Sequence, residues 1–285
     1  MTVKGILIPI GGNEDKGLVA KPSYKMDFIS DGILSHVVKE SGGTKANILV
    51  LPAASSIPEE VGDNYIQAFK TLGCNNVKVL HIKKRKHADK PEFLEALKQA
   101  DCVMFSGGDQ RKISAKIYGS EFHKLLTEKY QHEAFVIAGT SAGAMAMAKE
   151  MISGGSSKEA FIKGAVQMSQ GLELIPELII DTHFIQRGRF GRQSEAVAKF
   201  PKLLGIGLAE DTGLIIKNGK DIKVIGSGMA IVFDPQHIGH NNEKVLREGT
   251  PMTMTNLIVH ILANGDRFDI ETREVKVLPI EAPFV

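Results

Sequence analysis

Short apolar, β-branched runs bounded by glycine, proline or aspartate recur at residues 5–10, 47–52, 77–82, 102–106, 134–138 and 178–182. Apart from 77–82, where Lys78 and His81 interrupt, their apolar residues fall on consecutive rather than alternate positions, and all six runs read as strands buried on both faces. Between them, residues 30–41, 59–72, 90–99 and 113–130 space their apolar positions at helical intervals. Strands alternating with helices predict a mostly parallel central sheet covered on both sides, a three-layer α/β sandwich. The last third changes character. Residues 207–217, 223–224 and 230–233 are short β-like runs separated by Asn-Gly or Asp-containing turns, and 257–263 is a further candidate strand. That pattern predicts antiparallel strands extending the same sheet. With no internal repeat, low-complexity linker or break in composition, residues 1–285 read as one α/β domain.

Composition narrows the class. The chain is 43% hydrophobic and 24% charged, with 29 glycines, as expected of an ordinary globular protein. Its 35 Lys and Arg against 33 Asp and Glu leave a net charge of +2. So small an excess argues against a nucleic-acid or membrane-surface binder and favours a small or locally charged partner. The only cysteines, Cys74 and Cys102, exclude a disulfide-dense scaffold and a multi-cysteine zinc site and read as core thiols. The opening residues read as a first strand rather than a targeting segment. The longest apolar uncharged stretch, 134–148, is broken by Gly-Thr-Ser and is too short for a membrane span. The expected location is therefore the cytoplasm. The basic run Lys83-Lys84-Arg85-Lys86 reads as a solvated loop face.

The sharpest chemical signal is Gly139-Thr140-Ser141-Ala142-Gly143, which follows a predicted strand and precedes a helix-forming, alanine- and methionine-rich run. A G-x-S-x-G turn of this kind is so tight that only small residues fit around the serine, whose hydroxyl is pushed out above the sheet edge. The Ala142 N–H, at the helix start, can then help hold an oxyanion. A second turn, Ser106-Gly107-Gly108-Asp109-Gln110, follows the preceding strand, and loops after parallel strands gather at one edge. Gly108 N–H is thus a candidate second oxyanion donor and Gln110 a candidate substrate contact. Serine needs a base. Of nine histidines, His183 stands out because it ends the apolar run 178–182, which delivers it to the same edge. The segment Arg187-Gly188-Arg189-Phe190-Gly191-Arg192 follows, and its two glycines argue for a loop presenting guanidinium groups to an acidic substrate. A carboxylate should orient the histidine. Asp181, Glu210 and Asp211 are all candidates, and spacing does not choose among them.

Taken together and in order, the blocks Phe105-Ser106-Gly107-Gly108-Asp109-Gln110, Gly139-Thr140-Ser141-Ala142-Gly143-Ala144, Asp181-Thr182-His183-Phe184 with the arginine segment, and Gly207-Leu208-Ala209-Glu210-Asp211-Thr212 resemble the cyanophycinase-like serine peptidases. These are relatives of the aspartyl dipeptidases on a class I glutamine-amidotransferase-like scaffold. The resemblance runs from about the first strand to about residue 235. It implies Ser141 as nucleophile, His183 as base and Glu210 as the carboxylate partner. Gln110, Asp181, Arg187, Arg189 and Arg192 match positions implicated in substrate binding. The implied substrate is cyanophycin, a polyaspartate backbone with arginine on each side-chain carboxyl, cut at α-aspartyl bonds to release β-Asp-Arg. No metal or organic cofactor is required, and a homodimer is expected. Where the family commonly has Gln between the Asp and His, this chain has Thr182, which lacks the amide donor. The rivals are an aspartyl or isoaspartyl dipeptidase on the same scaffold and a non-catalytic acidic-peptide binding module. A Rossmann nucleotide binder is disfavoured because neither Gly-Gly loop supplies G-x-G-x-x-G.

Overall fold

The computed structural model describes residues 3–18, 26–155, 159 and 161–279. Its largest sheet begins with five parallel strands, β1 (Ile6–Ile10), β2 (Ile48–Leu51), β3 (Val77–Val79), β4 (Cys102–Phe105) and β5 (Val136–Thr140), in the order β3-β2-β4-β5-β1. Every residue of β2, β4 and β5 is buried, which is why these runs carry no polar alternation. Successive side chains feed two cores. Ile8, Ile48, Val50, Met104 and Ala138 meet α1 (Ile33–Glu40) and α2 (Pro58–Thr71) on one face. Leu7, Leu49, Val103 and Ile137 belong to the other core, with α3 (Pro91–Lys98), α4 (Gln110–Ile117) and α5 (Glu121–His132). The expected three-layer arrangement is present.

Residues 113–130, which read as one helix, form parts of two. The break is Tyr118-Gly119-Ser120. Gly119 has φ +70°, and Ser120 caps α5 by accepting the His123 N–H at 2.9 Å. Asp109 caps α4 in the same way, accepting the Arg111 N–H at 3.0 Å.

The final third departs further from expectation. After β5 come the one-turn α6 (Ala142–Met145), the hairpin β6 (Glu150–Gly155) and β7 (Val166–Gln170), then β8 (Leu178–Asp181), α7 (Phe190–Lys199) and β9 (Leu204–Leu208). The run 207–217 does not extend a single sheet. It divides between β9 and β10 (Thr212–Lys217), which lie in different sheets. β10 pairs antiparallel with β1 and continues through β11 (Asp221–Gly226), β14 (Arg267–Asp269) and β15 (Val275–Lys276). β8 and β9, with β12 (Ala230–Asp234) and β13 (Ile258–Leu262), make a separate four-stranded sheet in the order β13-β12-β9-β8. Thus the strand before His183 is not part of the main sheet. β8 and β9 are parallel and need a crossover, which α7 provides. The glycines that argued for a loop are used otherwise: Gly191 is the second residue of α7, whose burial against the second sheet outweighs its helix-breaking cost. One apolar cluster continues from the main sheet into the second. Among the described residues no helix is long and apolar enough to cross a membrane.

Candidate active site

β5 ends at Thr140, and the chain reverses through Ser141, which has φ 51° and ψ −110°, before entering α6. A serine in that region is strained, and its surroundings must hold it there. They do so by close packing. A Cβ on Gly139 would stand 2.6 Å from the Gly143 carbonyl carbon, and one on Gly143 would stand 2.6 Å from the Phe105 oxygen. Both glycines are therefore required for the turn to close. The Ser141 hydroxyl lies 2.9 Å from His183 Nε2, and His183 Nδ1 lies 2.7 Å from Glu210 Oε1. With the carboxylate ionised, Nδ1–H donates to Glu210 and Nε2 is left to accept the serine proton. Of the three carboxylates that spacing left open, Glu210 is the one against the imidazole.

These residues come from three distant stretches of chain, and one short backbone segment registers all of them. The Ser141 N–H donates to the Ile10 carbonyl at 2.8 Å, the His183 N–H to Gly11 at 2.8 Å, and the Asp211 N–H to Gly12 at 2.9 Å. Three successive carbonyls at the end of β1 thus receive three site segments. The fit leaves no room for side chains. A Cβ on Gly11 would lie 1.8 Å from the Ala209 oxygen, and one on Gly12, at φ +102°, would lie 2.4 Å from His183 Cε1. Asn13 Nδ2 then donates to the second Glu210 oxygen at 3.1 Å, and Gln186 Oε1 accepts the Glu210 N–H at 3.2 Å. Sequence reading missed Gly11, Gly12 and Asn13. The available signal was the Gly-Gly pair placed directly after the first strand.

The site opens into a cavity of about 510 Å³ lined by Gly12, Lys16, Gly107, Gly108, Ser141, His183 and Arg187, together with residues of α2. Gly108, at φ +138°, lies so near Ala54 that a Cβ would stand 2.3 Å from its carbonyl oxygen. Among the described residues, the Gly108 N–H has no hydrogen-bond acceptor. Beneath the cavity Glu14 is fully buried and accepts from the Tyr65 hydroxyl at 2.6 Å, Thr140 Oγ1 at 2.5 Å and the Lys16 ammonium at 2.7 Å. Burial pushes its carboxyl upward, but the Lys16 charge and these hydrogen bonds outweigh burial and hold it below the usual carboxylate range. Burial, then the Glu14 charge, keep the Tyr65 hydroxyl protonated far into alkali. This cluster anchors the residue before Ser141. A slightly larger cavity, about 550 Å³, lies between α1 and the β10-β11-β14-β15 end of the sheet, and among the described residues its lining contains His36 but no serine, threonine or cysteine.

The other residues singled out by sequence divide sharply. Arg187 is exposed and lines the active-site cavity, whereas Gln110, Asp181, Arg189 and Arg192 do not. Asp181 is fully buried at the end of β8. Arg189 Nη1 reaches its Oδ1 at 2.8 Å, and Arg192 donates through Nε to Oδ2 at 2.8 Å and through Nη2 to Oδ1 at 2.5 Å. The arginines expected on one loop therefore face two ways, because α7 starts at Phe190 and carries Arg192 inward. Gln110 Nε2 donates to the Ile152 carbonyl at 2.8 Å. Thr182 is fully buried, with its hydroxyl 3.4 Å from Met145 Sδ, so the residue that replaces the common Gln packs into the protein rather than the cavity.

A strained serine, an imidazole and a carboxylate in line beside a cavity can carry out acyl transfer, which is the chemistry of a serine hydrolase. Comparison with known proteins makes the class specific. The sequence model of peptidase family S51 matches residues 23–225. The chain is 35% identical over 272 residues to the cyanophycinase of Trichormus variabilis, across 95% of this chain and 88% of that protein. It is 32% identical to the cyanophycinase of Geminocystis herdmanii, across 95% and 96%. The fold resembles that of a crystal structure of a peptidase from an acI-B1 Actinobacterium, with a TM-score of 0.62 at 21% identity over 94% of this chain and 98% of that one. It also resembles a putative peptidase E from Listeria monocytogenes EGD-e, with a TM-score of 0.52 at 15% identity over 79% and 99%. This chain belongs to peptidase family S51, a family of serine-type peptidases.

Proposed function

We propose that this protein is a serine exopeptidase that hydrolyses cyanophycin at α-aspartyl bonds and releases β-Asp-Arg dipeptides. The observation that carries this reading is the hydrogen-bonded line from Ser141 through His183 to Glu210 beside an open cavity. The cyanophycinases similar to this chain over 95% of its length support the substrate. In this mechanism Ser141 Oγ attacks the aspartyl α-carbonyl carbon while His183 Nε2 takes its proton, and Glu210 stabilises the imidazolium. The N–H groups of Gly108 and Ala142 hold the tetrahedral oxyanion. His183 then protonates the departing amine, leaving an ester on Ser141. Water, deprotonated by His183, attacks that ester, releasing the carboxylic acid and restoring the serine. Arg187 pairs with a free substrate carboxylate, which favours a chain end over an interior. Asp181, Arg189, Arg192 and Gln110 support the site from behind.

The deciding experiment incubates the protein with insoluble cyanophycin and analyses soluble products by mass. β-Asp-Arg is expected from the wild type, with release slowed about 10⁴-fold or more in Ser141→Ala. Cleavage of short N-terminal aspartyl peptides without dipeptide release makes it an aspartyl dipeptidase. Binding without turnover makes it a binding module. The reading includes a cytoplasmic location, in keeping with two buried free thiols, which cell fractionation checks. It also includes a homodimer. β13 ends the second sheet with Ile261 67% exposed, an edge suited to a second copy, and light scattering in solution checks the mass.

A further inference from the structure

The active-site cavity is not uniform in charge. Among the described residues Lys16 and Arg187 supply its cations, and Ile57, just before α2, joins Glu60, Val61 and Asn64 from the first two turns of that helix. Among the described residues the cavity lining contains two carboxylates. Glu14 is fully buried and satisfied by Tyr65, Thr140 and Lys16. Glu60 is exposed and, among the described residues, its carboxylate makes no ion pair or hydrogen bond. Its neighbour Glu59, in the same helical turn, instead pairs with Lys83 at 3.1 Å. A carboxylate facing a catalytic cavity with no protein partner is available to an incoming cation.

The surroundings select the kind of cation. Glu60 and Asn64 are four residues apart on one helix face, so their acceptor oxygens can converge on one group. Ile57, 53% exposed, and Val61 give an apolar surface beside them. A planar guanidinium on a methylene stem needs both features: oxygen acceptors for its fork of N–H donors and an apolar lining for its stem. We propose that Glu60 determines specificity by binding the guanidinium of a substrate arginine, with Asn64 as a second acceptor. The inference rests on the reading of β-Asp-Arg units as substrate and names the group that reads their arginine.

The test uses two soluble substrates: a trimer of α-linked β-Asp-Arg units, and the same trimer with every arginine replaced by citrulline, which keeps the shape and removes the charge. The wild type is expected to prefer the arginyl trimer. Glu60→Gln should shrink that preference, measured as the ratio of kcat/KM values, by about tenfold to a hundredfold, the range of one charge-assisted hydrogen bond. The loss should fall mainly in KM, Glu60→Asp should recover part of it, and Glu60→Lys should reverse the preference. A helix-stabilising role alone would lower the melting temperature and leave the ratio unchanged. The inference is overturned if wild type has no preference between the trimers, or if Glu60→Gln and Glu60→Lys keep the wild-type ratio. In both cases dipeptide release still stands. If wild type releases neither dipeptide but cleaves unmodified aspartyl peptides, the substrate reading itself has failed, and this inference goes with it.

Discussion

Gly12 contributes no side chain, yet the imidazole of His183 occupies the space that any Cβ there would need. Its φ of +102° adds a second obstacle to substitution. Gly12→Ala should push the His183 ring off the Ser141 hydroxyl and lower kcat by about 100-fold or more, since misplacement by about 1 Å costs that much. Gly43→Ala, also at positive φ but with nothing within 4 Å, is the control. It should lose about 1 kcal/mol of stability and retain its kcat. Steady-state kinetics with thermal melts separates the two, and equal kcat values would overturn the role given to Gly12. Such residues are hard to read from sequence for a physical reason. Ser141 and His183 lie within recognisable patterns, a glycine-flanked turn and a strand end. The acceptors at Ile10, Gly11 and Gly12 are main-chain carbonyls, which every residue type possesses. Glu210 was one of three carboxylates allowed by spacing, and the distance to His183 depends on the crossing between two sheets, which no local pattern records.

At the level of elements, the consequential difference is the βαβ unit β8-α7-β9. Its helix was hidden because Gly188 and Gly191 lower local helix propensity, while the evidence in its favour is tertiary: a parallel strand pair that requires a crossover. The glycines of β9 serve the same packing. A Cβ on Gly207 would lie 2.6 Å from the Phe184 ring, and one on Gly205 would lie 2.4 Å from Gln193 Nε2. Asp181 joins the unit by bringing Arg189 and Arg192 to the end of β8, two residues before His183. Asp181→Ala leaves two largely buried guanidinium groups without their anion and should destabilise the fold by about 3–5 kcal/mol. Arg187→Ala removes an exposed side chain and should change stability by less than about 0.5 kcal/mol while raising KM for an acidic substrate. Chemical denaturation together with KM measurements distinguishes these roles. A strongly destabilising Arg187→Ala, or a neutral Asp181→Ala, would mean that the division between inward and outward arginines is wrong.

At the scale of the whole molecule, the site lies where the two sheets meet, so its alignment depends on both remaining in place. β5 brings Ser141 from one sheet, β8 brings His183 from the other, and residues 209–211 cross between them carrying Glu210. Their common support is the end of β1. Ile10, whose carbonyl holds Ser141, belongs to the same buried cluster as Tyr65, Cys74 and Cys102. Both thiols are shielded, and burial pushes Cys102 up to about 12, so almost none of it is thiolate at pH 8. Its reaction with a thiol-specific reagent therefore reports opening of the core on which the site is built. In a urea titration at pH 8, loss of peptidase activity and the onset of Cys102 labelling should occur at the same urea concentration. The continuous apolar cluster between the sheets supports that expectation, because neither sheet can withdraw without exposing the shared interior. If activity disappeared well before labelling began, the second sheet would be opening by itself. His183 would then leave Ser141 while the main sheet remained closed, and the end of β1 would be a seam between independent units rather than their common foundation.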